Sequence, residues 1–180
     1  KDTSDLAAVT GVEPPDDDDE YNYTDSKGVS LNLDPVLRSY TDQWMNRPDE
    51  DLTEAQKKCK KTKQFSKWCL TINNWVPQDI AKLEKFWLFR ETEAALHGSK
   101  GLIGLLYAKE VGKDTGNPHL HIMFVYTHRG RKRFTTIKKA FPRAHIQTVR
   151  QPGSYIKYCM KDGDFKKYGQ LVTSDNDSKG

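Results

Sequence analysis

Apolar and polar positions alternate most cleanly over Gly116–Tyr126, where Leu120, Ile122, Phe124 and Tyr126 share one parity and His119 and His121 the other. Side chains two apart on a strand point to one face. The pattern therefore predicts a β-strand with an apolar inner face and two imidazoles projecting together from the other. Gly101–Val111 reads as the preceding strand, and Gly112–Asn117, rich in turn-forming residues, as its hairpin loop. A turn centred on Asp114-Thr115 would set Glu110 opposite His119 and Ala108 opposite His121. A one-residue slip would send Glu110 to the other face.

The remaining pattern supplies the neighbours. Trp68–Asn74 reads as a strand ending in asparagines. Pro77 opens a helix whose stripe (Ile80, Leu83, Phe86, Trp87, Phe89) runs to about His97, with Gly98 and Gly101 as its stop. After the hairpin come a basic loop at 127–133, a helix over 134–141 ended by Pro142, and a strand at Ala144–Val149. Ser154 would cap a third helix reaching about Lys161, and Phe165–Val172 adds a short strand. The order β-α-β-β-α-β predicts an α+β, ferredoxin/RRM-like sandwich with a central antiparallel sheet over residues 64–173, and a tail at 174–180.

Residues 1–63 differ in character. Pro14-Pro15 precedes the block Asp16–Glu20, so an acidic and largely disordered extension is expected. Asp34-Pro35 followed by Val36, Leu37, Tyr40, Trp44 and Met45 predicts a short helix over 35–46, and 47–63 reads as a charged linker.

Charge sharpens this division. Residues 1–56 hold fifteen acids and four bases, net −11, and residues 57–180 ten acids and twenty-five bases, net +15. A basic body points to a polyanionic partner. No apolar run is long enough for a membrane span and no signal-peptide pattern opens the chain, so no membrane partner is expected. The three cysteines, Cys59, Cys69 and Cys159, are widely spaced, which favours reduced thiols and an intracellular setting.

Glu110 beside His119 and His121 makes a candidate divalent-metal site, suited to Mg²⁺ or Mn²⁺; zinc fits the ligand types too, without a C-x-x-C pair to close a structural site. On the third helix, Tyr158 and Lys161 lie three apart and share a face, with Tyr155 one turn earlier. A tyrosine beside an ammonium and facing a metal can attack phosphorus, provided a nearby cation favours its phenolate.

Taken in order, Trp68-Cys69-Leu70-Thr71-Ile72-Asn73-Asn74, the His119-Leu120-His121 pair with Glu110 upstream, and Tyr158-Cys159-Met160-Lys161 resemble three motifs of one family. These are the motifs of the HUH endonuclease domain in replication-initiator (Rep) proteins of circular single-stranded DNA viruses, circoviruses and geminiviruses among them. Ala144-His145-Ile146-Gln147 and Asp162-Gly163-Asp164-Phe165 look like the flanks of the family's nucleophile helix, and the resemblance covers about residues 66–170. It implies an HUH fold, with Glu110, His119 and His121 as ligands of Mn²⁺ or Mg²⁺, Tyr158 as nucleophile and Lys161 as its following lysine. It also implies nicking and joining of a single-stranded origin at a stem-loop, through a 5′-phosphotyrosine intermediate, to start rolling-circle replication. Oligomerisation of the full-length protein and a host-nuclear location, for a eukaryotic virus, come with the resemblance. Family members usually carry a helicase domain after this one, and no G-x-x-x-x-G-K-[ST] occurs in this chain.

Arg129, Arg131, Lys132, Arg133, Lys138, Lys139 and Arg150 are candidate contacts to DNA phosphates, and the run at 129–133 reads equally as a nuclear signal or a solvated loop. Two other readings share much of the pattern: a non-catalytic RRM-like binder of single-stranded nucleic acid, and an HUH transposase or relaxase. The binder needs aromatics on the open sheet face, yet Phe124 and Tyr126 have the parity of the expected core.

Overall fold

The computed structural model describes residues 22–24, 30–32, 40–42, 44–111 and 116–171. Strands β1 (Asn22–Thr24) and β2 (Ser30–Asn32) pair with each other. The body is an antiparallel six-stranded sheet. In chain order its strands are β3 (Thr41–Asp42), β5 (Lys67–Asn73), β6 (Leu102–Val111), β7 (Pro118–Tyr126), β9 (His145–Val149) and β10 (Phe165–Gly169). Across the sheet they run β10-β6-β7-β5-β9-β3. Short strands β4 (Gln64–Phe65) and β8 (Lys132–Arg133) form a separate ribbon. Helices α1 (Glu54–Thr62), α2 (Pro77–Leu88), α3 (Phe134–Ala140) and α4 (Pro152–Met160) complete an α+β fold. Its central order, β6-β7-β5-β9, is that of the split βαβ sandwich and is consistent with the HUH endonuclease fold.

Strand alternation builds two cores. One face of the sheet sends Trp68, Leu70, Ile72, Leu105, Tyr107, Leu120, Ile122, Phe124 and Ile146 into a cluster with Leu83 and Phe86 of α2 and Ile137 of α3. Phe86 stacks on Phe124 at 5.0 Å and meets Phe141 edge-on at 5.2 Å. The opposite face is smaller: Cys69, Leu106, Ala108, Met123 and Val125 pack against Tyr155, Ile156 and Cys159 of α4. All three cysteines are buried and free.

Several local expectations change. The segment 41–46, read as part of a helix, is instead strand β3 followed by a 3-10 turn at Trp44–Asn46; residues 35–39 lie outside the described set. The reason is tertiary. Trp44 and Met45 are buried in the larger core, and Asn46 clamps β9 by accepting from the Ile146 N–H at 2.8 Å and donating back to the Ile146 carbonyl. The expected linker at 47–63 contains α1, opened by a capping box in which Thr53 and Gln56 exchange hydrogen bonds of 3.1 and 2.8 Å. Leu52 and Cys59 join the core, so packing begins well before Gln64. The acidic block Asp16–Glu20 lies outside the described residues.

Helix α2 stops at Leu88 rather than near His97. The Thr92 hydroxyl donates to the Phe89 carbonyl at 2.9 Å and accepts from the Ala94 N–H at 3.2 Å, a local turn that competes with helix. Gly101 then takes a φ of 83°, where a Cβ would come within 2.9 Å of the Gly130 backbone. Helix α4 begins at Pro152, not Ser154, with Gln151 as its N-cap. The basic loop at 127–133 ends in β8, and the last strand closes at Gly169.

His145 on β9 adds a pH dependence. Burial, with Lys138 nearby, pushes its pKa down to about 3 from 6.5. Below pH 6.5 the unfolded chain takes a proton that the folded ring refuses until about pH 3, so this contribution is full above 6.5 and is lost as pH falls. Stability should drop by about 2 kcal/mol between pH 6.5 and 5 on this account. Urea unfolding midpoints measured against pH check it: His145→Gln should flatten the slope, and an unchanged slope would refute the assignment.

Candidate active site

Alternation along β7 puts His119 and His121 on the α4 side of the sheet, and the β6–β7 register pairs Glu110 with His119 and Ala108 with His121. That is the expected register, although residues 112–115 of its loop are outside the described set. One potential ligand atom from each of Glu110, His119 and His121 lies within 4.8 Å of the others. The His121 Nε2 is buried, 3.6 Å from a Glu110 oxygen, and has no hydrogen-bond partner. A buried imidazole nitrogen and a carboxylate oxygen turned toward each other form a donor set that suits a divalent cation.

Electrostatics favour the ligating forms. The adjacent His121 ring leads in holding Glu110 at about 2, burial opposes it, and the Lys161 ammonium assists. Burial, helped by His121, lowers the pKa of His119 and keeps that partly buried ring neutral. Thr71 on β5 sits opposite His121 in register, with its hydroxyl 3.3 Å from Nδ1. This contact holds the ring through Nδ1 and turns Nε2 toward the cluster.

Helix α4 crosses this face and brings the second part of the site. The Tyr158 ring stands 6.3 Å from the His121 ring at 76°, and the Lys161 ammonium lies 3.7 Å from the Tyr158 ring centre. Lys161 also forms an ion pair with Glu110, so one cation links carboxylate and phenol. Tyr155 does not compete for this position. It is fully buried under the helix and donates to the Ile122 carbonyl at 3.3 Å.

The expected nucleic-acid contacts do not gather here. Arg129, Arg131, Lys132 and Arg133 follow β7 at its far end, whose last residue lies about 16 Å along the strand from His121 at about 3.3 Å per residue. Arg131, Lys132 and Arg133 line a cleft of about 430 Å³ with Lys100 and His97. Lys138 and Lys139 ride on α3, which packs on the other face of the sheet, and Lys138 donates to the Ala144 carbonyl. Arg150 follows β9 and is bound to Asp42 at 3.1 Å and to the Thr41 carbonyl at 2.8 Å.

Two neighbours of the site escaped the sequence reading. Thr71 lies in a strand that was recognised, but its place beside His121 depends on β5 pairing with β7. Tyr40 meets the Tyr158 ring edge-on at 6.4 Å, and no local motif marks it.

No family model matches the chain. It is 33% identical over 112 residues, 62% of its length, to the replication-associated protein of pigeon circovirus. It is 28% identical over 99 residues, 54% of its length, to the replication-associated protein of beak and feather disease virus. The matches cover 31% and 29% of those proteins, so the chain spans about a third of the relatives it matches. Over this stretch the sequence is similar to these circovirus replication-associated proteins.

Proposed function

We propose that this Rep-like chain nicks and rejoins single-stranded DNA at a replication origin, through a covalent 5′-phosphotyrosine on Tyr158. The observation that carries the reading is the convergence of Glu110, His119 and His121 with Tyr158 and Lys161 on one sheet face. The phenolic oxygen of Tyr158 attacks a backbone phosphorus, and the bond from phosphorus to the 3′-oxygen breaks. That oxygen leaves as a 3′-hydroxyl after taking up a proton, and the 5′-phosphate stays on the tyrosine. Attack by a 3′-hydroxyl reverses the step and rejoins the strand without an external energy source. The Lys161 ammonium, beside the Tyr158 ring, is placed to steady negative charge on the phosphate. Glu110, His119 and His121 would hold a Mn²⁺ or Mg²⁺ ion, which polarises the phosphate when bound.

The basic cleft at the other end of β7 suits a more distant part of the DNA, with Arg131 to Arg133 contacting its backbone. A non-catalytic RRM-like binder fits less well. Phe124 and Tyr126 are buried in the core, so they cannot stack bases on the open face.

The test is mass spectrometry after the full chain meets hairpin oligonucleotides with randomised single-stranded loops, in the presence of Mn²⁺. A DNA-linked peptide containing Tyr158 is expected. Binding of these oligonucleotides with no adduct and no cleavage would return the reading to a binder.

A further inference from the structure

We propose that Tyr40, on the N-terminal segment, is a positioning residue for Tyr158. This rests on the reading of Tyr158 as the nucleophile. The segment reaches α4 by joining the sheet. Thr41 and Asp42 pair with Val149 and Thr148, making β3 the strand beyond β9. Side chains then lock it. Arg150 binds both the Asp42 carboxylate and the Thr41 carbonyl, the Gln147 amide donates to the Thr41 hydroxyl at 3.3 Å, and the Thr148 hydroxyl reaches Asp42 at 3.4 Å.

Tyr40 itself holds α4 at two points. Its carbonyl accepts from the N–H groups of Arg150 at 2.8 Å and Gln151 at 3.2 Å, and Gln151 is the N-cap of the helix. Helix starts leave backbone donors without intrahelical partners, so this carbonyl ties down the point where α4 begins. Its ring then meets the Tyr158 ring at 6.4 Å and 67°, an edge-to-face contact. Tyr158 thus has His121 and Tyr40 as ring neighbours and the Lys161 ammonium beside its centre.

A phenol attacking phosphorus in line needs its oxygen held to within about an ångström, and a small misplacement costs rate without costing affinity. The Tyr40 ring limits how far the Tyr158 ring can swing away from His121. The ring edge performs this task, so phenylalanine should replace it and leucine should not.

The full chain is tested as Tyr40→Phe and Tyr40→Leu, with thermal melting to confirm that both fold. The first readout needs no chemistry: NMR of tyrosine-labelled protein should show Tyr40–Tyr158 ring contacts, and a Tyr158 ring signal kept in Tyr40→Phe but shifted or broadened in Tyr40→Leu. The second is single-turnover cleavage of a hairpin oligonucleotide selected from the randomised pool. Tyr40→Leu should slow it about 10-fold or more with little change in the half-saturating DNA concentration, while Tyr40→Phe stays near the wild-type rate. A Tyr158 signal unchanged in Tyr40→Leu overturns the proposal, as does an undiminished rate or a loss confined to DNA affinity. If the wild-type chain forms no adduct while the NMR contrast holds, the positioning stands and the nucleophile reading fails.

Discussion

Tyr158→Phe should abolish the DNA–protein adduct and reduce nicking on the order of 10³-fold or more, while leaving the fold and DNA binding intact. The substitution removes one oxygen and keeps the ring that packs against His121, Tyr40 and Lys161. Tyr155→Phe is the matched control. Its hydroxyl is buried and donates to the Ile122 carbonyl. Losing that bond should cost about 1–2 kcal/mol of stability and leave the adduct in place. Denaturing gel shifts of labelled oligonucleotide separate the two. An adduct that persists in Tyr158→Phe and vanishes in Tyr155→Phe would exchange their roles.

His121→Ala is expected to lower Mn²⁺ affinity and nicking by about 100-fold or more, and EDTA should stop the wild-type reaction. His121 contributes a buried nitrogen beside Glu110 on a ring held by Thr71, so its loss removes the most preorganised ligand of the three. Thr71→Val removes the group that orients that ring and should weaken Mn²⁺ binding by about 10-fold. Calorimetric titration with Mn²⁺ alone reads both effects without DNA. Nicking that survives both EDTA and His121→Ala would end the metal hypothesis.

The site was legible in the sequence where one strand carries its own code. Alternation over Pro118–Tyr126 sorts the histidines from the core, and the loop length then places Glu110 beside His119. The i, i+3 spacing of Tyr158 and Lys161 likewise survives into the structure as a ring–ammonium contact. Elements whose conformation is decided by distant partners were not legible. The Thr53-x-x-Gln56 capping box was hidden by the lysines after it, which read as linker although Cys59 among them is buried. Trp44 and Met45 have helical spacing with Tyr40, yet β9 draws that segment into the sheet edge. The place of the basic residues after Tyr126 was not legible either, because sequence proximity to the histidines says nothing about how far along the strand they sit.

The sheet's two outer strands also bear on the protein's behaviour at high concentration. An unpaired strand edge is a template for another chain. The β10 edge is guarded by exposed Lys166 and Lys167, which repel a like edge. The other side has no such charges on β9 and is covered by the two residues of β3, too short to recruit a further strand. Truncation before Gln64 would strip that cover and lay β9 bare. Such a fragment should self-associate through β9 and precipitate where the longer chain stays dispersed, so a preparation that retains Tyr40–Asp42 is the one suited to crystallisation and to quantitative DNA titration.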